Sequence, residues 1–191
     1  MSEFEEEAVV ELTYRARYEF GHYLVSRILG FRPGAVTLAK PLLTSTGGTA
    51  ELDLMLPLKT FPDVISYCER RIEVLFAGVL AEALENGVVD NERAIRYAET
   101  SGANDFTKAH EHLNLLRNCL HERSPSAEAN LEIQQISDRL WQEACILVTA
   151  EGELIQQLAG ELVRKGAIPL LSSTFSAAEL LSHPLLIKRF H

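Results

Sequence analysis

Apolar side chains recur at helical spacing along most of this chain, which predicts a mainly helical protein. The first segment runs from Phe4 to Leu29, and Gly30 stands where a helix of that length would end. Its apolar positions include Val9, Leu12, Ala16, Phe20, Leu24 and Ile28. We therefore predict one long helix at the start of the chain.

The pattern changes between Pro33 and Pro57, where glycines and prolines interrupt short apolar runs. Two of these runs, Val36 to Leu38 and Ala50 to Leu56, are typical of strands with a loop between them. We therefore predict a small β-hairpin or sheet near residues 34–57 within an otherwise helical fold.

Helical spacing returns beyond residue 60. Asp63 is the predicted cap of a second long helix that ends near Asn86-Gly87. Small residues in its run from Leu75 to Leu84 would allow another backbone to approach closely. Residues 1–191 are interpreted as a single domain, with the first helix and the β element in 1–60 and a helical remainder in 61–191.

Three further helices are expected after the loop Ser101–Asp105, at about 105–121, 126–149 and 151–165, with Gly166 as a stop. A short helix is expected near 176–181. Apolar positions of the segment 126–149 are predicted to pack in the core or in a subunit contact, and they are Leu131, Ile136, Leu140, Trp141, Ala144 and Leu147.

Composition and charge narrow the kinds of function that this protein could have. With 47% hydrophobic and 24% charged residues, the chain has the balance of a folded globular protein. Its net charge of −9 argues against a nucleic-acid partner, because phosphate contacts need clustered basic side chains. No apolar stretch approaches the roughly 20 residues of a membrane span, and the three cysteines form no C-x-x-C pair. We expect a cytoplasmic protein with no membrane partner.

The first helix contains the run Tyr18-Glu19-Phe20-Gly21-His22. It matches the zinc-peptidase signature H-E-x-x-H except that Tyr18 stands at the first histidine. In the intact signature, two histidines four residues apart hold zinc from one helix face, and the glutamate activates water. Glu19 is therefore a candidate general base and His22 a candidate metal ligand.

A second block, Thr100-Ser101-Gly102-Ala103-Asn104-Asp105, follows at a distance. Together with the first block and the run Leu75 to Leu84, it resembles the peptidase domain of the FtsH-type ATP-dependent zinc proteases. The resemblance covers nearly the whole chain. It implies that Asp105 is the carboxylate ligand, beside His22, with Glu19 as the base.

The resemblance places the missing third ligand at Tyr18. A phenol binds zinc as phenolate, and its ordinary pKa near 10 makes that form costly at neutral pH. Zinc is thus the implied cofactor, with an incomplete site. No G-x-x-x-x-G-K-[ST] motif occurs, so we expect no ATP site in this chain and, for any ATP-driven step, a separate ATPase partner.

Three hypotheses follow. The leading one is a stand-alone FtsH-like domain, impaired or inactive in hydrolysis, that binds a protein or peptide or serves as a regulatory module. The second is an active zinc-dependent peptidase that uses Tyr18, His22 and Asp105 as ligands and Glu19 as base. The third is a structural homo-oligomer that associates through its C-terminal helices.

Overall fold

The computed structural model describes residues 3–38, 48–123, 125–165 and 172–190, and it is mainly helical with a small antiparallel sheet, as predicted. The helices are α1 (Glu3–Ile28), α2 (Phe61–Glu82), α3 (Asn91–Ala98), α4 (Ala103–Leu120), α5 (Ser126–Ala150), α6 (Gly152–Lys165), α7 (Ala177–Leu181) and α8 (Pro184–Phe190). The strands are β1 (Arg32–Leu38), β2 (Gly48–Asp53), β3 (Leu84–Glu85), β4 (Val88–Val89) and β5 (Ser173–Phe175).

The predicted hairpin is confirmed and gains a third strand. Gly30 adopts a φ of 85°, which ends α1 and turns the chain into β1. β2 and β5 both pair antiparallel with β1, in the order β2-β1-β5. β2 stops at Asp53, short of the predicted Leu56. β5 has only three residues, too few for a periodic signal, and the loop predicted between β1 and β2 lies outside the described residues.

Both predicted ends of α2 need correction. The cap is Thr60 and not Asp63, because Asp63 is the third helical residue, whose carboxylate accepts from the Thr60 N–H at 2.8 Å in a capping box. The helix ends at Glu82 and not near Asn86-Gly87. Those two residues have φ values of 50° and 80° and form the turn between β3 and β4.

Close packing of α1 on α2 positions the rest of the fold. A Cβ atom at Gly21 would lie 2.4 Å from the carbonyl oxygen of Ala77 and 2.6 Å from the Cβ of Ala81. The prediction that small residues of α2 allow close approach is therefore confirmed. The core cluster extends from this contact into α4, α5 and α6.

The stripe predicted on α5 is confirmed in part. Ile136, Leu140 and Ala144 are buried, and Val148 continues their i, i+4 series. Leu131 is 59% exposed, because a residue five positions before Ile136 lies about 140° around the helix from it.

The helices predicted at 105–121, 126–149, 151–165 and 176–181 are confirmed as α4, α5, α6 and α7. Gly166, the expected stop of α6, lies outside the described residues. α8 was not predicted, and its Arg189 forms an ion pair of 2.6 Å with Glu151, which is 4% exposed. No helix in the described ranges is long and apolar enough to cross a membrane.

Candidate functional site

A cleft of about 720 Å³ opens beside α1, between β2, α2 and the start of α4. α1 contributes Tyr18, Glu19 and His22 to its wall, since residues three and four apart lie on one helix face. The rings of Tyr18 and His22 meet edge to face, with centroids 4.7 Å apart. The run singled out in the sequence therefore faces a cavity.

Asp105 enters the same cleft from the first turn of α4. Gly102 caps this helix and packs so closely on α2 that a Cβ atom there would lie 2.3 Å from Cγ1 of Val79. Ser101 donates to the Glu82 carboxylate at 2.7 Å, which fixes the loop to the same helix. The glycine and the serine of the second block thus hold Asp105 in place.

Three side chains donate hydrogen bonds to Asp105. The Tyr18 hydroxyl lies 2.6 Å and Nε2 of His22 lies 2.9 Å from Oδ2, while Nζ of Lys108 lies 3.2 Å from Oδ1. Burial by itself would raise the pKa of Asp105. The hydrogen bond and charge of His22, followed by Tyr18 and Lys108, outweigh burial and hold that pKa well below its usual range. Asp105 is therefore an ionised carboxylate.

His22 faces an acceptor at each ring nitrogen. Its Nδ1 lies 2.7 Å from the Val74 carbonyl oxygen, and its Nε2 faces Asp105. A carbonyl and an ionised carboxylate only accept, so both nitrogens carry hydrogen and the ring is an imidazolium. Burial opposes this charge, but Asp105 and then Glu19 raise the pKa of His22 overall. In this arrangement His22 has no free lone pair for a metal.

The side chain of Glu19 projects from α1 toward Gly48 of β2 and is 7% exposed. Burial raises its pKa to about 7, although the His22 charge and the Ala50 N–H act in the opposite direction. A Cβ atom at Gly48 would lie 2.9 Å from Oε1 of Glu19, so a glycine lets β2 pass close to the carboxylate. A carboxyl that titrates near neutral pH has the pKa that a general base needs.

The donor set does not fit a complete zinc site. Burial, followed by the charge and hydrogen bond of Asp105, raises the pKa of Tyr18 far above its ordinary value, so its phenol stays protonated and donates. His22 and Asp105 are then two ligands where a catalytic zinc site uses three from the protein. Within the described ranges, no group of three or more His, Cys, Asp or Glu side chains is arranged to hold a metal ion.

The four predicted site residues thus line one cleft, and three of them, Tyr18, His22 and Asp105, contact one another as hydrogen-bond partners. His110 and His112, which follow Asp105 on α4 and could offer a substitute for the lost ligand, do not line the cleft. Sequence reasoning missed the α2 side of the cleft, formed by Arg71, Leu75 and Glu82. Their spacing of four and then seven residues places them on one helix face and could have revealed them.

Comparison with known proteins gives no match: neither a protein-family model nor a curated protein sequence is significantly similar to this chain.

Proposed function

We propose that this chain is an FtsH-like peptidase-fold domain that has exchanged metal chemistry for ligand binding, and that its cleft holds an extended peptide without cleaving it. The observation that carries the proposal is the 2.6 Å hydrogen bond from the Tyr18 hydroxyl to Asp105. It joins a residue at the lost ligand position to the carboxylate that the FtsH resemblance assigns to zinc.

Charge and proton positions support the loss of hydrolysis. For His22 and Asp105 to bind zinc, the imidazolium must lose a proton and the carboxylate must give up donors. Each step disrupts the buried ion pair between His22 and Asp105. In its place, the zinc ion would have only two protein ligands. Glu19 keeps the pKa of a general base, but these residues do not hold firmly the ion that would activate its water.

The walls of the cleft support a peptide as the occupant. In the described part of the sheet, β2 is an edge strand, and Thr49, Ala50 and Leu52 line the cleft. Edge strands bind extended peptides through main-chain hydrogen bonds, with side chains held in alternate pockets. Apolar Leu52 and Leu75 beside polar Ser101 and Asn104 suit such a mixed ligand.

Zinc stoichiometry tests the first half of the proposal. Wild-type protein purified with zinc and then dialysed should retain well under one ion per chain, whereas Tyr18→His should retain about one, because it completes the ligand set. Adding His22→Ala to Tyr18→His should remove that ion. About one zinc per wild-type chain, with cleavage of an unstructured protein that Glu19→Gln abolishes, would favour the active-peptidase hypothesis instead.

Peptide binding tests the second half. The probe is a pool of unstructured hexapeptides, acetylated and amidated at the ends, with binding followed by fluorescence polarisation. We expect saturable binding to the wild type and weaker binding to Gly48→Leu, whose side chain would intrude toward Glu19. No binding by the wild type would contradict the peptide proposal. The separate ATPase partner, the homo-oligomer and the cytoplasmic location stay predictions.

A further inference from the structure

Arg71 differs from the other residues that line the α2 side of the cleft. Arg71, Leu75 and Glu82 line the cleft from the face of α2 that also carries Gly78, and Arg71 lies about 16 Å along the helix from Glu82. Glu82 is engaged by Ser101, and Gly78 makes room for the Tyr18 and His22 rings. Among the described residues, Arg71 makes no such contact.

No hydrogen bond, ion pair or ring contact occupies the Arg71 guanidinium in the described part of the chain. Other arginines that are half-buried or buried there have such partners, and they are Arg15, Arg17, Arg27, Arg70, Arg93 and Arg117. Burial lowers the pKa of Arg71 overall, although the charge of Asp105 and then Tyr67 act in the opposite direction, so this cation carries a desolvation cost. A half-buried guanidinium that lines a cavity and makes no direct contact with a described carboxylate or carbonyl is available to a ligand.

Both basic groups and one carboxylate surround Arg71, and Asp105 is the charge that acts on it most strongly. Lys108 lines the same cleft, and His112 is close enough that, after burial, the Arg71 charge is the main cause of its lowered pKa. Asp105, the nearby carboxylate, already accepts from Tyr18, His22 and Lys108. Arg71 and Lys108 thus place two basic side chains at this end of the cleft, beside the single carboxylate of Asp105.

We propose that Arg71 is a specificity-determining residue, which selects peptides that carry a carboxylate at the α2 end of the cleft. This inference rests on the proposed peptide-binding function. The planar guanidinium matches a carboxylate through two parallel hydrogen bonds. A monoanion is favoured over a phosphate dianion, because Glu19, Glu82 and Asp105 line the same cleft and repel the second charge.

The test compares three hexapeptide pools by fluorescence polarisation at low salt. The first has Glu fixed at one position and blocked ends, the second has Gln there, and the third has Gln with a free C-terminal carboxylate. Wild type should bind the first or the third pool about fivefold more tightly than the second. The preferred pool identifies the carboxylate as side-chain or terminal. The preference should fall as salt is raised.

The Arg71→Met variant should lose the preference for a carboxylate-bearing pool but keep the wild-type affinity for the Gln pool. The Arg71→Lys variant should keep part of that preference. Arg96→Met is the matched control, because Arg96 is exposed on α3 and does not line the cleft, and it should behave as wild type. If Arg71→Met does not fold, the Nε–Hε NMR resonance of Arg71 in the wild type should shift with the preferred pool.

Equal binding of all three pools by the wild type, or a preference that survives in Arg71→Met, would overturn the role of Arg71 and leave peptide binding intact. An unshifted Arg71 resonance at saturation would do the same. Binding of no pool by the wild type would overturn this inference together with the proposed peptide function.

Discussion

Nε2 of His22 lies 2.6 Å from the point that a Cβ atom on residue 78 would occupy, so that Gly78 is what allows α2 to pass beside the His22 ring. The Tyr18 ring lies 2.8 Å from the same point. Real Cβ atoms do not come so close to other atoms. The hydrogen-bonded cluster of Tyr18, His22 and Asp105 therefore depends on a glycine in the neighbouring helix.

Gly78→Ala should destabilise the protein by about 1–3 kcal/mol, because an added methyl group in a packed site forces its neighbours to move. Gly160→Ala in α6 is the control: its nearest neighbour would lie 3.7 Å away, and alanine should stabilise this helix by about 0.5–1 kcal/mol. Urea denaturation measures both. A Gly78→Ala protein as stable as the wild type would show that the two rings move aside at no cost.

Tyr18→Phe should lower the free energy of unfolding by about 1.5–3 kcal/mol, since it removes a hydrogen bond to a buried carboxylate. Tyr67→Phe is the matched change, because the Tyr67 hydroxyl has no partner among the described residues, and it should alter stability by less than about 0.5 kcal/mol. The comparison uses urea denaturation at pH 7. Equal losses in the two variants would mean that the Tyr18 hydroxyl contributes no special stabilisation.

The stability of the protein should depend on pH through Glu73, a buried residue that does not line the cleft. Burial, followed by the charges of Glu143 and Glu69, raises its pKa from 4.5 to about 7. The folded state therefore binds the proton more tightly than the unfolded state. This group's stabilisation is complete below about pH 4.5 and is lost as the pH rises to about 7, by at most about 1.4 kcal/mol per pH unit.

Glu73→Gln should consequently flatten the decline in stability between pH 4.5 and 7, because the amide does not titrate. Glu111→Gln, a change at an exposed position of α4, should leave the decline as it is in the wild type. Urea denaturation at half-unit pH steps gives the slopes. Parallel profiles for wild type and Glu73→Gln would contradict a raised pKa at Glu73.

Arg189→Gln should destabilise the protein by about 1–3 kcal/mol, because it leaves the buried Glu151 carboxylate without the guanidinium that binds both of its oxygens. Lys188→Gln changes the exposed neighbour and should have little effect. Thermal unfolding followed by circular dichroism compares the two variants. An Arg189→Gln protein as stable as the wild type would show that α8 is held by other contacts.

The sequence by itself determined most of the helices and the small sheet, because apolar periodicity and glycine positions are local signals. It also placed Tyr18, Glu19 and His22 on one helix face, since their spacing alone fixes that. It misjudged both ends of α2, where Asp63 at the third helical position resembles a cap and Asn86-Gly87 turns a hairpin instead of ending a helix.

Tertiary structure alone decided what the candidate site residues do to each other. The hydrogen bond between Tyr18 and Asp105 spans 87 positions of sequence. It depends on α2, because Gly102 at the start of α4 packs against Val79 of α2, and α2 itself packs on α1. The charge on His22 follows from two acceptors, Val74 and Asp105, that come from different helices. Arg71 became notable only once its surroundings were known, because whether a cation has a partner depends on distances in space and not on spacing along the chain.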